Sequence, residues 1–232
     1  MSKIAVIGGG SFGTVVANII ALNGHDVQFW MRSNELVSEV NETQENKQYL
    51  PGYSLSKKVV ATANMSDAVK KASLIFVAVP SSSFREVVKQ IVVFAPDDAM
   101  LISTTKGIEP GNFKLMSQVL HEESPSSGIG VLSGPNLAKE IASKHPTGTV
   151  IASNNEQIRE TVKDVLRSDT FRVYTNDDMF GIELGGSLKN IYAIIAGLAA
   201  SIGTGHNTNS MLVTRALAEM ARFGRELGAD PM

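Results

Sequence analysis

A short apolar strand followed at once by a glycine-rich turn is the feature that most restricts the fold of this chain. Ile4-Ala5-Val6-Ile7 is a continuous apolar run, typical of a strand buried on both faces. Gly8-Gly9-Gly10-Ser11-Phe12-Gly13 follows with the spacing G-x-G-x-x-G. Helical periodicity from Phe12 to Leu22 and an apolar segment from Asp26 to Met31 then predict a helix and a second strand. This order predicts a Rossmann-type unit, with a dinucleotide's pyrophosphate over the glycines.

Each glycine of the turn has a different predicted task. Gly8 permits the tight turn, Gly10 lets the backbone approach the pyrophosphate, and Gly13 lets the helix pack close to the strand. The N-terminus of the helix adds unpaired N–H groups and a partial positive charge. The alternative interpretation is a glycine-rich turn that binds no ligand.

The end of the second strand predicts which nicotinamide cofactor fits. An NAD-specific site expects an acidic residue about 20 positions beyond the motif, but Trp30-Met31-Arg32 stands there and Asp26 lies at the wrong end of the strand. Glu35 falls in the next predicted helix. Because an arginine can pair with a 2′-phosphate, Arg32 predicts that NADP(H) is accepted, with NAD(H) as the other candidate. The alternative for Arg32 is a solvated surface charge.

Further apolar runs alternate with helical stretches, which predicts a mostly parallel sheet covered on both faces. One of these helices, Phe84 to Val93, is predicted to begin at a capping box formed by Ser83 and Glu86, and another is predicted near Glu156 to Leu166. The predicted strands are Val59-Val60-Ala61, Leu74 to Val79, Met100-Leu101-Ile102, Ile129 to Leu132, Thr149-Val150-Ile151 and Phe171 to Tyr174.

The pattern changes near Asn176. From Met179 to Leu227 strand signals are missing, and two long helical segments are separated by Gly203 to Asn207. The predicted organisation is therefore an α/β dinucleotide-binding domain over residues 1–176, a doubly wound sheet, followed by an incomplete all-α domain over residues 177–232.

Composition excludes several classes of function. The formal net charge is −2, so we expect no nucleic-acid partner, and cysteine is absent, which rules out thiolate catalysis and disulfides. The four histidines lack the spacing of a metal pair, so we expect no metal. The glycine- and asparagine-containing stretch from Asn190 to Asn209 is a poor membrane span. With no signal peptide pattern at Met1-Ser2-Lys3, a cytoplasmic protein is expected.

Two lysines stand out as candidate functional groups. Lys106 follows a predicted strand and precedes a glycine, so it is expected to point into the crevice where open α/β sheets bind ligands. Lys189 is the only charged residue between Glu183 and His206, in an apolar helix, and we expect it to be buried with a lowered pKa suited to a general base. The alternatives are a loop lysine in water for Lys106 and a snorkelling lysine for Lys189.

Taken in order, these motifs resemble the NAD(P)-dependent glycerol-3-phosphate dehydrogenases, in particular the bacterial type. The resemblance extends from Lys3 to Met232. It is carried by Gly8 to Gly13, Leu50-Pro51-Gly52, Val77 to Ser81, Ser103 to Glu109, Ser133 to Glu140 and Glu183 to Asn190.

The resemblance implies reversible hydride transfer between dihydroxyacetone phosphate and sn-glycerol 3-phosphate, which supplies glycerol phosphate for phospholipid synthesis. It implies that Lys189 is the proton acceptor. It further implies a substrate site of Lys106, Gly134, Asn136, Lys189 and Asn190. The dinucleotide would contact Gly8, Gly10, Ser11, Phe12, Gly13, Arg32, Phe84, Lys106 and Ala138.

One departure qualifies this expectation. Family members continue for roughly a hundred further residues, a domain-sized segment, and are expected to form homodimers at full length. Two alternatives therefore stay open: a cofactor-binding chain that is catalytically incomplete, or a related hydroxy-acid dehydrogenase of the same architecture. Because one further helix cannot cover the apolar helix from Leu184 to Ile202, we also expect the 232-residue chain to self-associate.

Overall fold

The computed structural model describes residues 3–124 and 128–230, which form eight strands and nine helices. The strands are β1 (Lys3–Ile7), β2 (Val27–Trp30), β3 (Val59–Thr62), β4 (Ala72–Val77), β5 (Met100–Ser103), β6 (Gly128–Ser133), β7 (Thr147–Ala152) and β8 (Phe171–Asn176). The helices are α1 (Ser11–Leu22), α2 (Asn34–Thr43), α3 (Met65–Val69), α4 (Ser81–Val92), α5 (Met116–Glu123), α6 (Ala138–Ala142), α7 (Glu156–Leu166), α8 (Met179–Ser201) and α9 (His206–Glu226).

All the strands of the described residues join one sheet in the order β3-β2-β1-β4-β5-β6-β7-β8. Neighbouring strands run parallel except β6 and β7, which are antiparallel. The strand order reverses between β1 and β4, where ligands of open α/β sheets bind. The predicted fold class, a mostly parallel doubly wound sheet followed by helices, is confirmed.

Apolar side chains form a core on each face of the sheet. On one face, residues of α1 and α7 pack against the strands around Phe29 and Phe76. On the other face, α3, α4 and α5 pack around Ile75 and Phe84. Alternate residues of β1 therefore enter opposite cores, as expected for a strand covered on both sides.

Three local predictions were wrong. The second strand runs from Val27 to Trp30 rather than from Asp26 to Met31. Strand β4 runs from Ala72 to Val77, whereas the prediction was Leu74 to Val79. Helix α4 begins at Ser81, so Ser83 lies inside its first turn and donates from its hydroxyl to the carbonyl of Pro80 at 3.2 Å. The N-cap of α4 is therefore Pro80, and Ser83 is not the capping residue.

Helices α8 and α9 pack against each other, and α8 also contacts β6, β7 and α5. The residues of α8 near the sheet, including Leu184, are buried. Many apolar side chains farther along α8 and on α9 are exposed to solvent. No helix of the described residues is long and apolar enough to cross a membrane. The exposed large apolar side chains of the two helices, and of the residues that directly follow them, are Ile191, Ile194, Ile195, Leu198, Ile202, Met211, Val213, Leu217, Phe223 and Leu227.

Candidate active site at the carboxyl edge of the sheet

The segments that follow β1, β4, β5 and β6 meet at one edge of the sheet. Backbone hydrogen bonds tie these segments together: Gly8 N–H donates to Trp30 O at 3.0 Å, and Ala78 N–H donates to Ile7 O at 2.7 Å. Thr104 N–H donates to Val77 O at 3.0 Å. The glycine turn and the segment carrying Lys106 are thus held on a common rigid frame.

The three motif glycines differ in what surrounds them. Gly8 has φ +126°, and a Cβ there would lie 2.2 Å from Ala78 O. A Cβ on Gly13 would lie 2.0 Å from Gly8 O, so α1 approaches the turn too closely for any side chain. A Cβ on Gly10, by contrast, would have no heavy atom of the described residues within 4 Å. Packing explains Gly8 and Gly13, whereas the open space at Gly10 has room for a ligand.

The N-terminus of α1 borders this open space. Its N-cap is Gly10, and no side chain caps the helix. Free N–H groups at a helix start attract anions. Ser11 and Phe12, the first two helical residues, are partly exposed beside them. Open space at Gly10, uncapped donors and partly exposed neighbours fit the pyrophosphate of a dinucleotide.

Arg32 stands exposed just beyond the end of β2 on the same edge. Asp26 lies at the opposite end of β2, where its carbonyl accepts from Ile4 N–H. The Glu35 carboxylate accepts a hydrogen bond from Ser33 Oγ at 2.5 Å, which lowers the pKa of Glu35. Arg32 is therefore an exposed cation on the edge of the sheet that carries the glycine turn.

Lys106 is partly buried between β5 and β6. Its ammonium donates to Gly134 O at 2.9 Å. Burial lowers the pKa of Lys106 below its ordinary value, and the nearby charge of Lys189 lowers it further. Lys106 and Lys189 therefore form a pair of neighbouring cations, which suits a doubly charged phosphate ester.

An ion pair fixes the segment just beyond Lys106. Arg85 of α4 donates from Nε and Nη2 to the two carboxylate oxygens of Glu109, at 2.6 and 2.9 Å. This two-point contact holds the pKa of Glu109 well below its usual range, at about 2. The loop from Lys106 to Glu109 is therefore attached to α4 as well as to the sheet.

Asn136 contributes an unsatisfied polar atom to the same edge. Its amide nitrogen donates to Thr149 Oγ1 at 2.9 Å, and Thr149 in turn donates to Ser133 O at 3.1 Å. The Asn136 Oδ1 atom is buried and has no hydrogen-bond partner among the described residues. A buried acceptor without a donor is unfavourable, so a hydrogen-bond donor on a bound ligand would satisfy it.

Ser187 joins α8 to the Lys106 loop and was not predicted from the sequence. Its hydroxyl accepts from Gly107 N–H at 3.1 Å and lies 3.1 Å from Glu183 O. Gly107 has φ +138°, a conformation that favours glycine. The helix that carries Lys189 is therefore attached directly beside Lys106.

Glu183, one turn before Ser187, was also missed as a positioning group. It is 2% exposed, and both of its carboxylate oxygens accept from Ser117 N–H, at 3.1 and 3.2 Å, at the start of α5. Burial raises the pKa of Glu183 to about 7 and outweighs these hydrogen bonds, which lower it. An acidic residue on an otherwise apolar helix was the available sequence signal.

The pKa of Glu183 predicts a pH dependence of stability. Because the folded pKa of about 7 lies above the ordinary value of 4.5, the contribution of Glu183 is complete below about pH 4.5 and is lost as pH rises through about 7. Relative to wild type, Glu183→Gln should gain about 3 kcal/mol of unfolding free energy from low to high pH. Urea unfolding across this range measures it, with Glu86→Gln at an exposed site as control. If the difference in unfolding free energy between Glu183→Gln and wild type does not change with pH, the raised pKa of Glu183 is wrong.

Lys189 and Asn190 are exposed on α8, so the prediction that Lys189 is buried was wrong. The apolar neighbours on which that prediction rested, among them Ile191 and Ile194, are themselves exposed. Apolar neighbours on a helix indicate that this face is suited to burial. They do not themselves bury the lysine, because another element must pack over the face. Lys189 instead borders an open apolar groove between α8 and α9 that includes Tyr192 and Leu217.

Phe84 and Ala138 lie apart from the open part of the edge. The Phe84 side chain is 0% exposed and belongs to the core beneath α4. It is therefore placed to support α4 rather than to present an open surface to a dinucleotide. Ala138 begins α6 and is partly buried against the other core. Across the described residues, groups of three or more potential metal-ligating side chains are absent.

Two family models match the chain. The model described as NAD-dependent glycerol-3-phosphate dehydrogenase N-terminus matches residues 3–159, and the corresponding C-terminus model matches residues 178–232.

Individual relatives agree with the family models. A glycerol-3-phosphate dehydrogenase [NAD(P)+] from Alcanivorax borkumensis is 54% identical over 228 residues, which are 98% of this chain and 66% of the relative. One of the same name from Saccharophagus degradans is 52% identical over 229 residues, 99% of this chain and 64% of the relative. The chain thus spans about two thirds of the length of these relatives.

A solved structure also resembles the fold. The crystal structure of glycerol-3-phosphate dehydrogenase from Coxiella burnetii matches with a TM-score of 0.93 and 34% identity, over 99% of this chain and 70% of that one.

Proposed function

The chain belongs to the NAD-dependent glycerol-3-phosphate dehydrogenase family, and from this premise we propose that it serves the NAD(P)-dependent interconversion of dihydroxyacetone phosphate and sn-glycerol 3-phosphate. The observation that carries the proposal is the single sheet edge shared by an uncapped glycine turn and the Lys106–Lys189 cation pair. One half of this edge suits a dinucleotide and the other a small phosphate ester. Following NADPH absorbance after addition of dihydroxyacetone phosphate tests the reaction.

The cofactor is proposed to lie along β1 and the start of α1. Gly8 and Gly13 shape the turn, and Gly10 with Ser11 and Phe12 faces the pyrophosphate. Arg32 and Ala138 add contacts at either side, and any contribution of Phe84 is made from within the core. When bound, the nicotinamide accepts or donates the hydride.

The substrate is proposed to lie between β5, β6 and α8. The Lys106 ammonium attracts the phosphate dianion beside Gly134, and Asn136 Oδ1 accepts from a substrate hydroxyl. In the oxidative direction, the Lys189 amine takes the hydroxyl proton as the hydride leaves the same carbon, with Asn190 next to it on α8. In the reductive direction Lys189 returns that proton.

Arg32 should select for the cofactor that carries a 2′-phosphate. Losing one charge-assisted contact weakens binding by about 1.5–3 kcal/mol, so Arg32→Ala should lower NADPH affinity by at least about tenfold and leave NADH affinity near the wild-type value. Titration of both cofactors into both proteins measures the ratio. If Arg32→Ala keeps the wild-type ratio of NADPH to NADH affinity, Arg32 is a solvated surface charge.

The domain boundary, the oligomeric state and the cellular role are proposed on the same basis. We place the boundary between the cofactor domain, residues 1–176, and the helical substrate domain, residues 177–232, in the short link between β8 and α8. A cytoplasmic homodimer that supplies glycerol phosphate for phospholipid synthesis, without a nucleic-acid partner, agrees with the family assignment and the net charge of −2.

A second candidate function is cofactor binding without useful turnover. It is favoured by the exposure of Lys189 and of the apolar side chains around it on α8 and α9. An exposed surface of this kind promotes association. The 232-residue chain would then bind NADPH and scatter light as an oligomer while leaving dihydroxyacetone phosphate unreduced. Robust turnover by a monodisperse monomer would exclude this candidate, and turnover with another hydroxy acid alone would point to a related dehydrogenase.

A further inference from the structure

The segment between α2 and β3 lies against the glycine turn through one buried side chain, Asn46. This residue is 0% exposed. Its amide nitrogen donates to Gly9 O at 2.9 Å and to Thr14 Oγ1 at 2.8 Å. Its Oδ1 atom accepts from Tyr49 N–H at 3.3 Å. Because donors and acceptor are both engaged, the amide group has one satisfied orientation.

The contact with Gly9 O fixes the direction of the next N–H group. In a trans peptide the C=O of one residue and the N–H of the next lie in one plane and point in opposite directions, and the described residues contain no cis peptide bond. Since the Gly9 carbonyl points toward Asn46, the Gly10 N–H points away from it. On the Gly10 side the structure is open, with no heavy atom of the described residues within 4 Å of a Cβ there.

The following peptide is held by α1. Gly10 O accepts from Thr14 N–H at 2.9 Å and from Thr14 Oγ1 at 2.8 Å. Ser11 Oγ donates to Tyr49 O at 2.7 Å, which ties the helix start to the same segment as Asn46. Asn46 is therefore the one side chain among the described residues that holds the Gly9–Gly10 peptide, whereas the Gly10–Ser11 peptide is held by Thr14.

We propose that Asn46 is a positioning residue for the pyrophosphate of the dinucleotide. It does not touch the cofactor, but it orients the Gly10 N–H that does. The proposal rests on the proposed cofactor site and extends it to a residue 37 positions beyond Gly9. Without this contact the Gly9–Gly10 peptide can rotate, and binding must then order it at the expense of affinity.

The test compares two ligands that differ in the pyrophosphate. NADPH spans the glycine turn, whereas adenosine 2′-monophosphate carries the 2′-phosphate that Arg32 would meet and has no pyrophosphate. Asn46→Ala removes the amide, and Asn46→Asp keeps the side-chain volume while removing both donors. Each variant should raise the Kd of NADPH by at least about tenfold relative to the Kd of adenosine 2′-monophosphate, because orientation of the turn affects one ligand only.

Asn41→Ala is the matched control. Asn41 lies on α2, and its side-chain amide donates to Ala61 O at 3.0 Å and accepts from Ala61 N–H at 2.8 Å, so none of these contacts is with the glycine turn. Its ratio of the two Kd values should stay within about twofold of wild type. A ratio that is unchanged in the Asn46 variants, or that shifts equally in Asn41→Ala, would overturn the proposal. Failure of the wild-type chain to bind NADPH would instead overturn the proposed cofactor.

A measurement on the wild-type chain covers the case in which neither Asn46 variant folds. With ¹⁵N-labelled glycine, NADPH should shift the Gly10 amide resonance strongly, and adenosine 2′-monophosphate should leave it near its free position. If NADPH binds and the Gly10 resonance does not move, the Gly10 N–H does not meet the pyrophosphate and the proposed role of Asn46 is wrong.

Discussion

Replacing Lys189 with methionine should lower the turnover of dihydroxyacetone phosphate reduction by about 100-fold or more, with NADPH affinity within about twofold of wild type. Methionine keeps much of the apolar length of lysine and removes the group proposed to transfer the proton. Lys189 is exposed, so the fold should tolerate the change. The expected result is therefore a loss confined to the chemical step.

The assay compares Lys189→Met with two other lysine variants. Lys106→Met should raise KM as well as lower kcat, because Lys106 is proposed to hold the substrate phosphate beside Gly134. Lys71→Met, just before β4 at the opposite edge of the sheet, should match wild type. Because the chain spans about two thirds of its relatives, the variants are compared in the chain and in a fusion to the remaining residues of the Alcanivorax borkumensis relative. Near-normal turnover of Lys189→Met would show that another group moves the proton.

Replacing Gly13 with alanine should abolish high-affinity NADPH binding and lower the unfolding free energy by about 3 kcal/mol or more. The new Cβ would lie 2.0 Å from the backbone oxygen of Gly8. No side-chain rotation relieves such a contact, so α1 must move away from the turn. Urea unfolding and NADPH titration measure the two effects.

Gly10→Ala separates ligand binding from folding. Its Cβ would meet no heavy atom of the described residues within 4 Å, and Gly10 already has an extended conformation that alanine adopts. This variant should keep wild-type stability and lose about tenfold in NADPH affinity. If Gly10→Ala binds NADPH normally, or if Gly13→Ala is as stable as wild type, the assigned packing of the turn is wrong.

The element pattern could be predicted wherever local sequence decides the structure. Helix α7 lies where its periodicity predicts, from Glu156 to Leu166, and the runs before Gly8 and from Phe171 onward are strands as predicted. Strand direction could not be predicted, because apolar runs do not distinguish parallel from antiparallel neighbours. The antiparallel pairing of β6 and β7 therefore emerged only from the structure.

The site could be predicted only in part, where the residues that define a motif lie close together in the sequence. The glycine turn contains its strand, its helix and its spacing within a few residues. Asn46 lies in a polar segment with no local signal, and its contacts span 32 and 37 residues. Burial was the least predictable property, since Lys189 is exposed and Phe84 is enclosed in the core through contacts made by distant elements.

Energy transfer from tryptophan to NADPH tests the central claim, a nicotinamide dinucleotide bound at the glycine turn, most directly. The chain has one tryptophan, Trp30, whose carbonyl accepts from Gly8 N–H at the site itself. Added NADPH should quench Trp30 emission and sensitise nicotinamide emission saturably in wild type, and it should do so only at higher concentration in Gly10→Ala. A wild-type chain that gives no saturable signal, or a Gly10→Ala titration identical to that of wild type, would contradict the claim.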